Sequence, residues 1–189
     1  MARIVVLASG AGSLLQALLD SHMGPDVVAV GSDNPDCAAL ERATVRGVPT
    51  FTVLLDDDRD RWNRDVREAL EGFSPDLIVC AGFMRILGPE VIDAFPDRII
   101  NSHPALLPAF PGAHAVRDAL AYGVTWTGCT VHVVDQGVDS GRILAQQPVE
   151  VRPTDDEASL HERIKDVERV LLVDVVAALV ADGIRVGHG

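Results

Sequence analysis

Short continuous apolar runs alternate with amphipathic stretches through the first half of the chain. Ile4–Ala8, Val27–Gly31, Thr50–Val53, Leu77–Ala81 and Ile99–Asn101 read as strands. Between them, Leu14–Asp20, Ala38–Arg46 and Arg61–Glu71 carry apolar residues at helical spacing and end near Gly or polar residues. Strand and helix in alternation is the signature of βαβ units on a parallel sheet. The fold class expected is α/β, a doubly wound, mostly parallel sheet flanked by helices.

After Asn101 the pattern changes. Pro104 to Gly112 (PALLPAFPG) is too rich in proline for a helix or a central strand, because proline has no amide hydrogen to donate. Long irregular segments inside compact domains are often functional. A helix over Ala115–Tyr122 follows, then strands over Thr130–Val134 and Arg142–Val151, which flank a loop from Asp135 to Gly141. Thr154 to Glu157 (TDDE) has the spacing of a capping box and opens an amphipathic helix to about Val180. No repeat or linker interrupts the chain, so residues 1–189 are expected to form one domain.

Composition narrows the function. With 16 Lys and Arg against 28 Asp and Glu the formal charge is −12, which argues against a nucleic-acid binder. A local basic pocket for a small anion is still compatible. Three widely spaced cysteines, Cys37, Cys80 and Cys129, form no C-x-x-C pair and suggest neither a disulfide framework nor a zinc site. They read as reduced, mostly buried thiols of a cytoplasmic protein. The apolar run at the amino terminus is too short for a membrane span, and neither targeting nor a membrane partner is expected.

Two segments carry candidate chemistry. Ser9 to Ser13 (SGAGS) sits between the first strand and the first helix, where free amides and the helix dipole favour an anion such as phosphate. It lacks both the third glycine of the dinucleotide fingerprint and the lysine of a P-loop, so a tight turn that binds nothing is an equal alternative. Asn101 and His103 lie two apart at a strand's carboxyl end, where open α/β sheets bind ligands. An amide and an imidazole converging there suit a carbonyl reaction, the first steadying an oxyanion and the second handling a proton. The alternative is a turn asparagine beside a core histidine. Asp135 and Asp139 flank Gly137, and an acid here would orient the imidazole; for Asp135 a turn role is preferred. His114 and His132 are further candidates, His132 reading as structural within its strand. His22, His161 and His188 read as surface residues, and no histidine pair has metal spacing.

Five segments together resemble the folate-dependent formyltransferases. They are Val5 to Gln16 (VVLASGAGSLLQ), Ala81 to Leu87 (AGFMRIL), Asn101 to Pro108 (NSHPALLP), Pro111-Gly112, and Thr130 to Gly141 (TVHVVDQGVDSG). The closest resemblance is to the branch that formylates glycinamide ribonucleotide in purine biosynthesis, and it implies a Rossmann-like formyltransferase fold. It implies Asn101, His103 and Asp139 as the catalytic trio. It also implies 10-formyltetrahydrofolate as donor, the primary amine of glycinamide ribonucleotide as acceptor, direct attack through a tetrahedral intermediate, and no metal. Gly12, Ser13 and Leu14 match the ribonucleotide phosphate turn; many relatives carry Asn where Leu14 stands, so only its amide is expected to contribute. Glu168 matches an acid contacting the ribonucleotide, with Lys165 one turn earlier.

The resemblance further places Met84, Arg85, Ile86 and Leu87, together with Asn101, Asp135, Gln136, Gly137, Val138 and Asp139, around the folate pterin. Ile86 and Leu87 also have a plain core reading. Arg59 matches a basic position near the folate tail, although its acidic surroundings (Asp56 to Asp60) equally suit a solvated loop. A cis Leu107–Pro108 peptide is implied as well. Other branches share the trio, one acting on a charged tRNA and one passing the formyl group to water. They are expected to need, respectively, an added carboxyl-terminal domain with a basic surface and an added amino-terminal domain. The assembly expected is a monomer or homodimer.

Overall fold

The computed structural model of the chain describes residues 1–184, so His188 lies outside the described residues. Five strands pair in parallel: β1 (Ile4–Leu7), β2 (Val27–Ser32), β3 (Thr50–Thr52), β4 (Leu77–Cys80) and β5 (Ile99–His103). Two more, β6 (Trp126–Val133) and β7 (Ile143–Glu150), extend the sheet antiparallel. The order is β3-β2-β1-β4-β5-β6-β7, the doubly wound, mostly parallel sheet expected.

Both faces are covered, which is why the parallel strands read as unbroken apolar runs. In β1, Ile4 and Val6 pack with α1 (Ser13–Asp20), α2 (Ala38–Val45) and α6 (Glu157–Ala181). Val5 and Leu7 point the other way, to Trp62, Val66 and Leu70 of α3 (Arg59–Phe73) and Val91 of α4 (Pro89–Ile92). Fully buried residues such as Ile4, Leu70 and Ile164 each contribute about 1.5–3 kcal/mol. A third cluster joins Val116 of α5 (Ala115–Tyr122) to Cys129, Val149, Leu160 and Ile164. All three cysteines are free and buried. No described helix is long and apolar enough to cross a membrane.

Several boundaries differ from those expected. β5 runs on through Ser102 and His103, and β6 begins at Trp126, four residues before the expected start at Thr130. The helical turn α4 starts at Pro89 and is too short to show an apolar period in the sequence. The capping box is shifted by two residues: the Asp156 side chain accepts from the Ser159 amide, and the Ser159 hydroxyl accepts from the Asp156 amide. Thr154 and Glu157 have the right spacing, but the chain turns helical only after Asp156, which is still extended at φ −103°, ψ 177°.

The proline-rich segment is irregular, and Leu107–Pro108 is cis. Thr130 of β6 pins it: its hydroxyl donates to the Ala105 carbonyl at 2.7 Å and accepts from the Leu107 amide at 3.1 Å. Gln146 of β7 donates to the Leu107 carbonyl at 2.8 Å.

Candidate active site

Alternation along β5 sorts its last residues onto two faces. Ile99, Asn101 and His103 face the α3/α4 side, while Ile100 and Ser102 face α6. Antiparallel pairing sets His132 of β6 opposite Asn101. The 134–142 loop then folds back across these residues and delivers Asp139. His103 Nδ1 lies 3.3 Å from Asp139 Oδ2, and His132 Nε2 lies 3.5 Å from Asp139 Oδ1 and 3.2 Å from Asn101 Nδ2. Asn101 and His103 of β5 and Asp139 of the 134–142 loop therefore meet at one point.

The network fixes orientations. His132 Nδ1 faces the carbonyl of Val133 at 2.9 Å, and a carbonyl only accepts, so the proton belongs on Nδ1. Nε2 faces two partners: in the neutral ring it accepts one N–H of Asn101, leaving the other amide hydrogen free for a ligand, whereas a ring carrying both protons donates from Nε2 to Asp139 Oδ1 at 3.5 Å. On His103, Nε2 donates to the Phe110 carbonyl at 2.8 Å while Nδ1 faces Asp139. Both nitrogens of that ring face acceptors. Phe110 and Asp139 both hold left-handed φ values, 54° and 52°, uncommon for residues with side chains and strained for a bulky one such as Phe.

His132 beside it, with the Gly112 amide at 2.7 Å and the nearby His103 ring, holds the Asp139 carboxyl down to about 2 against the opposing effect of burial. His132, read from sequence as structural, is thus a member of the cluster. Its only sequence signal was the alternation that a strand of unknown register cannot resolve.

The glycine turn sits at the carboxyl end of β1. Gly12 adopts φ 71°, ψ 28°, and no side chain caps α1. The first helical bond is from the Gln16 amide to the Gly12 carbonyl, which leaves the amides of Ser13 and Leu14 without helical partners. Arg42 of α2 donates to the Ala11 carbonyl at 2.8 Å and holds the turn from behind. Leu14 itself is buried in the core, so only its backbone is offered.

A second loop leaves β4 at the neighbouring position. Met84, Arg85 and Ile86 are exposed, and Leu87 is buried in the α3-side core. Arg59, at the start of α3, stacks on Trp62 and donates to the Ile86 carbonyl at 2.6 Å, so it holds this loop as well as lying in an acidic stretch. Gly88 is fixed by the Asn63 side chain at 2.6 Å. In the 134–142 loop, Asp135 accepts from the Gly137 amide and the Ser140 hydroxyl, the turn role preferred for it. Gln136, Gly137 and Val138 are exposed there. His114 precedes α5, exposed and outside the cluster, and His22 is exposed too.

Glu168 occupies the opposite face of β5. It is 4% exposed and accepts from the Ser102 hydroxyl at 2.5 Å. Burial pushes its carboxyl up from the usual range. Lys165 pairs with Glu162 rather than with Glu168. Because the folded-state value is raised, ionised Glu168 costs stability that appears as pH rises above the unfolded value of about 4.3. Glu168→Gln is therefore expected to raise Tm at pH 7 and to leave it unchanged below about pH 4, where wild type is protonated in both states. Thermal melts at the two pH values check this.

The sequence matches the family described as formyl transferase over residues 2–176. It is 58% identical to a phosphoribosylglycinamide formyltransferase of Mycobacterium tuberculosis, covering 98% of this chain and 88% of that protein. It is 37% identical to the protein of that name from Escherichia coli, covering 95% of this chain and 87% of the relative. Among solved structures, glycinamide ribonucleotide transformylase 1 from Symbiobacterium toebii superposes with a TM-score of 0.94 at 40% identity, covering 100% of this chain and 92% of that one.

Proposed function

The chain belongs to the formyl transferase family, and on that premise we propose that it transfers the formyl group of 10-formyltetrahydrofolate to the amine of glycinamide ribonucleotide, a step of purine biosynthesis. The observation that carries the chemistry is the cluster of Asn101, His103 and Asp139, with Asp139 within 3.3 Å of His103.

The amine attacks the formyl carbon and the carbonyl electron pair moves onto oxygen. The free N–H of Asn101 donates to that oxyanion. His103, held between Asp139 and Phe110, stabilises the charge and relays the proton that leaves the attacking nitrogen. The bond to the folate nitrogen then breaks, and that nitrogen leaves with a proton. The amides of Gly12, Ser13 and Leu14 take the ribonucleotide phosphate, and Glu168, nearly buried, reaches the ribonucleotide only through the carboxylate oxygen that Ser102 leaves open. The exposed Met84 and Ile86, Arg85, the backbone around Leu87, and the Asp135 to Asp139 loop frame the pterin. Arg59 lies toward the folate tail.

The decisive experiment measures tetrahydrofolate release from 10-formyltetrahydrofolate with and without glycinamide ribonucleotide. Release that requires the ribonucleotide supports transfer; equal release without it makes water the acceptor. The phosphate assignment has its own test in Gly12→Val. A side chain there would place Cβ 2.8 Å from the Ala39 Cα, on a residue at φ 71°. The KM for ribonucleotide is expected to rise by about tenfold or more as the amides are displaced, with little change in the folate KM. Equal rises in both KM values, measured in steady state, remove the phosphate from this turn.

A further inference from the structure

The carboxyl ends of β1, β2 and β4 converge on one carboxylate outside the catalytic cluster. Asp33 directly follows β2, and its side chain is 3% exposed. Its Oδ1 accepts from the Ser9 hydroxyl at 2.5 Å and its Oδ2 from Arg85 Nε at 2.6 Å. The same Ser9 oxygen accepts from the Met84 amide at 2.8 Å, and the Ser9 amide donates to the Gly82 carbonyl at 3.1 Å. Ser9 opens the glycine turn, and Met84 and Arg85 form the crown of the loop after β4. A closed ring of hydrogen bonds, Asp33 to Ser9 to Met84-Arg85 and back to Asp33, therefore joins the two loops across the gap between β1 and β4, where the strand order reverses.

Both carboxylate oxygens are used and both contacts are short, one of them to a guanidinium, the kind of charge-assisted bond that fixes geometry. Each loop has a separate anchor on its outer side, Arg42 for the glycine turn and Arg59 with Asn63 for the other. On the inner side Ser9 joins the two loops directly, and Asp33 reaches both, one through Ser9 and the other through Arg85.

We propose that Asp33 is a positioning residue that fixes the ribonucleotide turn and the folate loop relative to each other, and so governs the binding of both substrates from beneath. This rests on the assignment of those two loops to the two substrates. A carboxylate serving only to stabilise the fold would alter Tm and leave ligand affinity, measured well below Tm, unchanged.

The test is calorimetric titration of glycinamide ribonucleotide and, separately, tetrahydrofolate into wild type, Asp33→Asn, Ser9→Ala and the double variant. Each single change is expected to weaken both ligands by roughly five- to tenfold, the scale of losing a hydrogen bond to a charged group. The double variant is expected to be little weaker than Asp33→Asn, since both changes open one ring. Should Asp33→Asn melt below the assay temperature, Ser9→Ala, which keeps the Asp33–Arg85 pair, carries the same test. A loss confined to the folate, or no loss for either ligand, overturns the inference while leaving the function intact. Wild type that binds neither ligand overturns the function and the inference together.

Discussion

Asp139→Asn is expected to lower kcat by about 10²–10⁴-fold, the usual worth of positioned proton handling, while both KM values change little. The substitution is a clean one. Asp139 sits at φ 52°, and Asn is among the few side chains that accept the left-handed region, so the loop keeps its course. The Gly112 amide keeps an oxygen to donate to; what is lost is the charge facing His103. If the pair works as a unit, Asp139→Asn combined with His103→Ala is expected to be no worse than the poorer single variant. Multiplicative losses, or an unchanged kcat, return Asp139 to the role of a turn residue.

The pH dependence follows from the depressed carboxyl. Asp139 is held at about 2, so its charge is constant through neutral and mildly acidic pH, and no fall in kcat there belongs to it. A lowered folded-state value stabilises the protein above the unfolded value of about 3.9 and loses that effect as pH falls through the folded one. The stability gap between wild type and Asp139→Asn is therefore expected to shrink between about pH 4 and pH 2.

Asn101→Ala is expected to lower kcat by about 10²–10³-fold with ground-state binding largely kept, as for loss of one oxyanion donor. One amide hydrogen of Asn101 is committed to His132, at 3.2 Å, and the other is presented to the site. Alanine removes both, and His132 Nε2 loses its Asn101 partner. A KM rise with kcat unchanged, in steady-state measurements, would make Asn101 a binding residue and leave the oxyanion to another donor.

The sheet was legible in the sequence because its central strands are buried on both faces. The runs IVVL of β1 and LIVC of β4 have no polar residue to blur them. The apolar pattern of β5 stops at Asn101 because its last two residues, Ser102 and His103, are polar while still in the ladder opposite Val131 and Thr130. The trio was visible through the Asn-x-His spacing and the family resemblance. His132 was not, since its partnership with Asn101 depends on a strand register 31 residues away. Asp33 carries no local signal for the same reason: Ser9 and Arg85 are 24 and 52 residues distant, and only the fold brings them together. The displaced capping box shows the limit at short range, where two overlapping S/T/D-x-x-E/S patterns compete and the backbone decides between them.

The exposure of Met84 bears on how the protein meets oxidants. The reacting cluster is built of nitrogen and oxygen donors, and the cysteines stay out of reach: burial raises the Cys80 and Cys129 thiols to about 12, which withholds the thiolate that peroxides attack. Of the three methionines, Met23 is buried and Met1 stands at the amino terminus, so Met84, 69% exposed on the loop after β4, is the sulfur that an oxidant reaches there. Conversion to the sulfoxide would set a polar, branched group where an apolar one stands on the loop after β4, beside the amide that Ser9 holds. With that loop proposed to frame the pterin, damage of this kind is expected to fall on folate affinity and to spare the Asn101–His103–Asp139 cluster, and a sulfoxide reductase can reverse it.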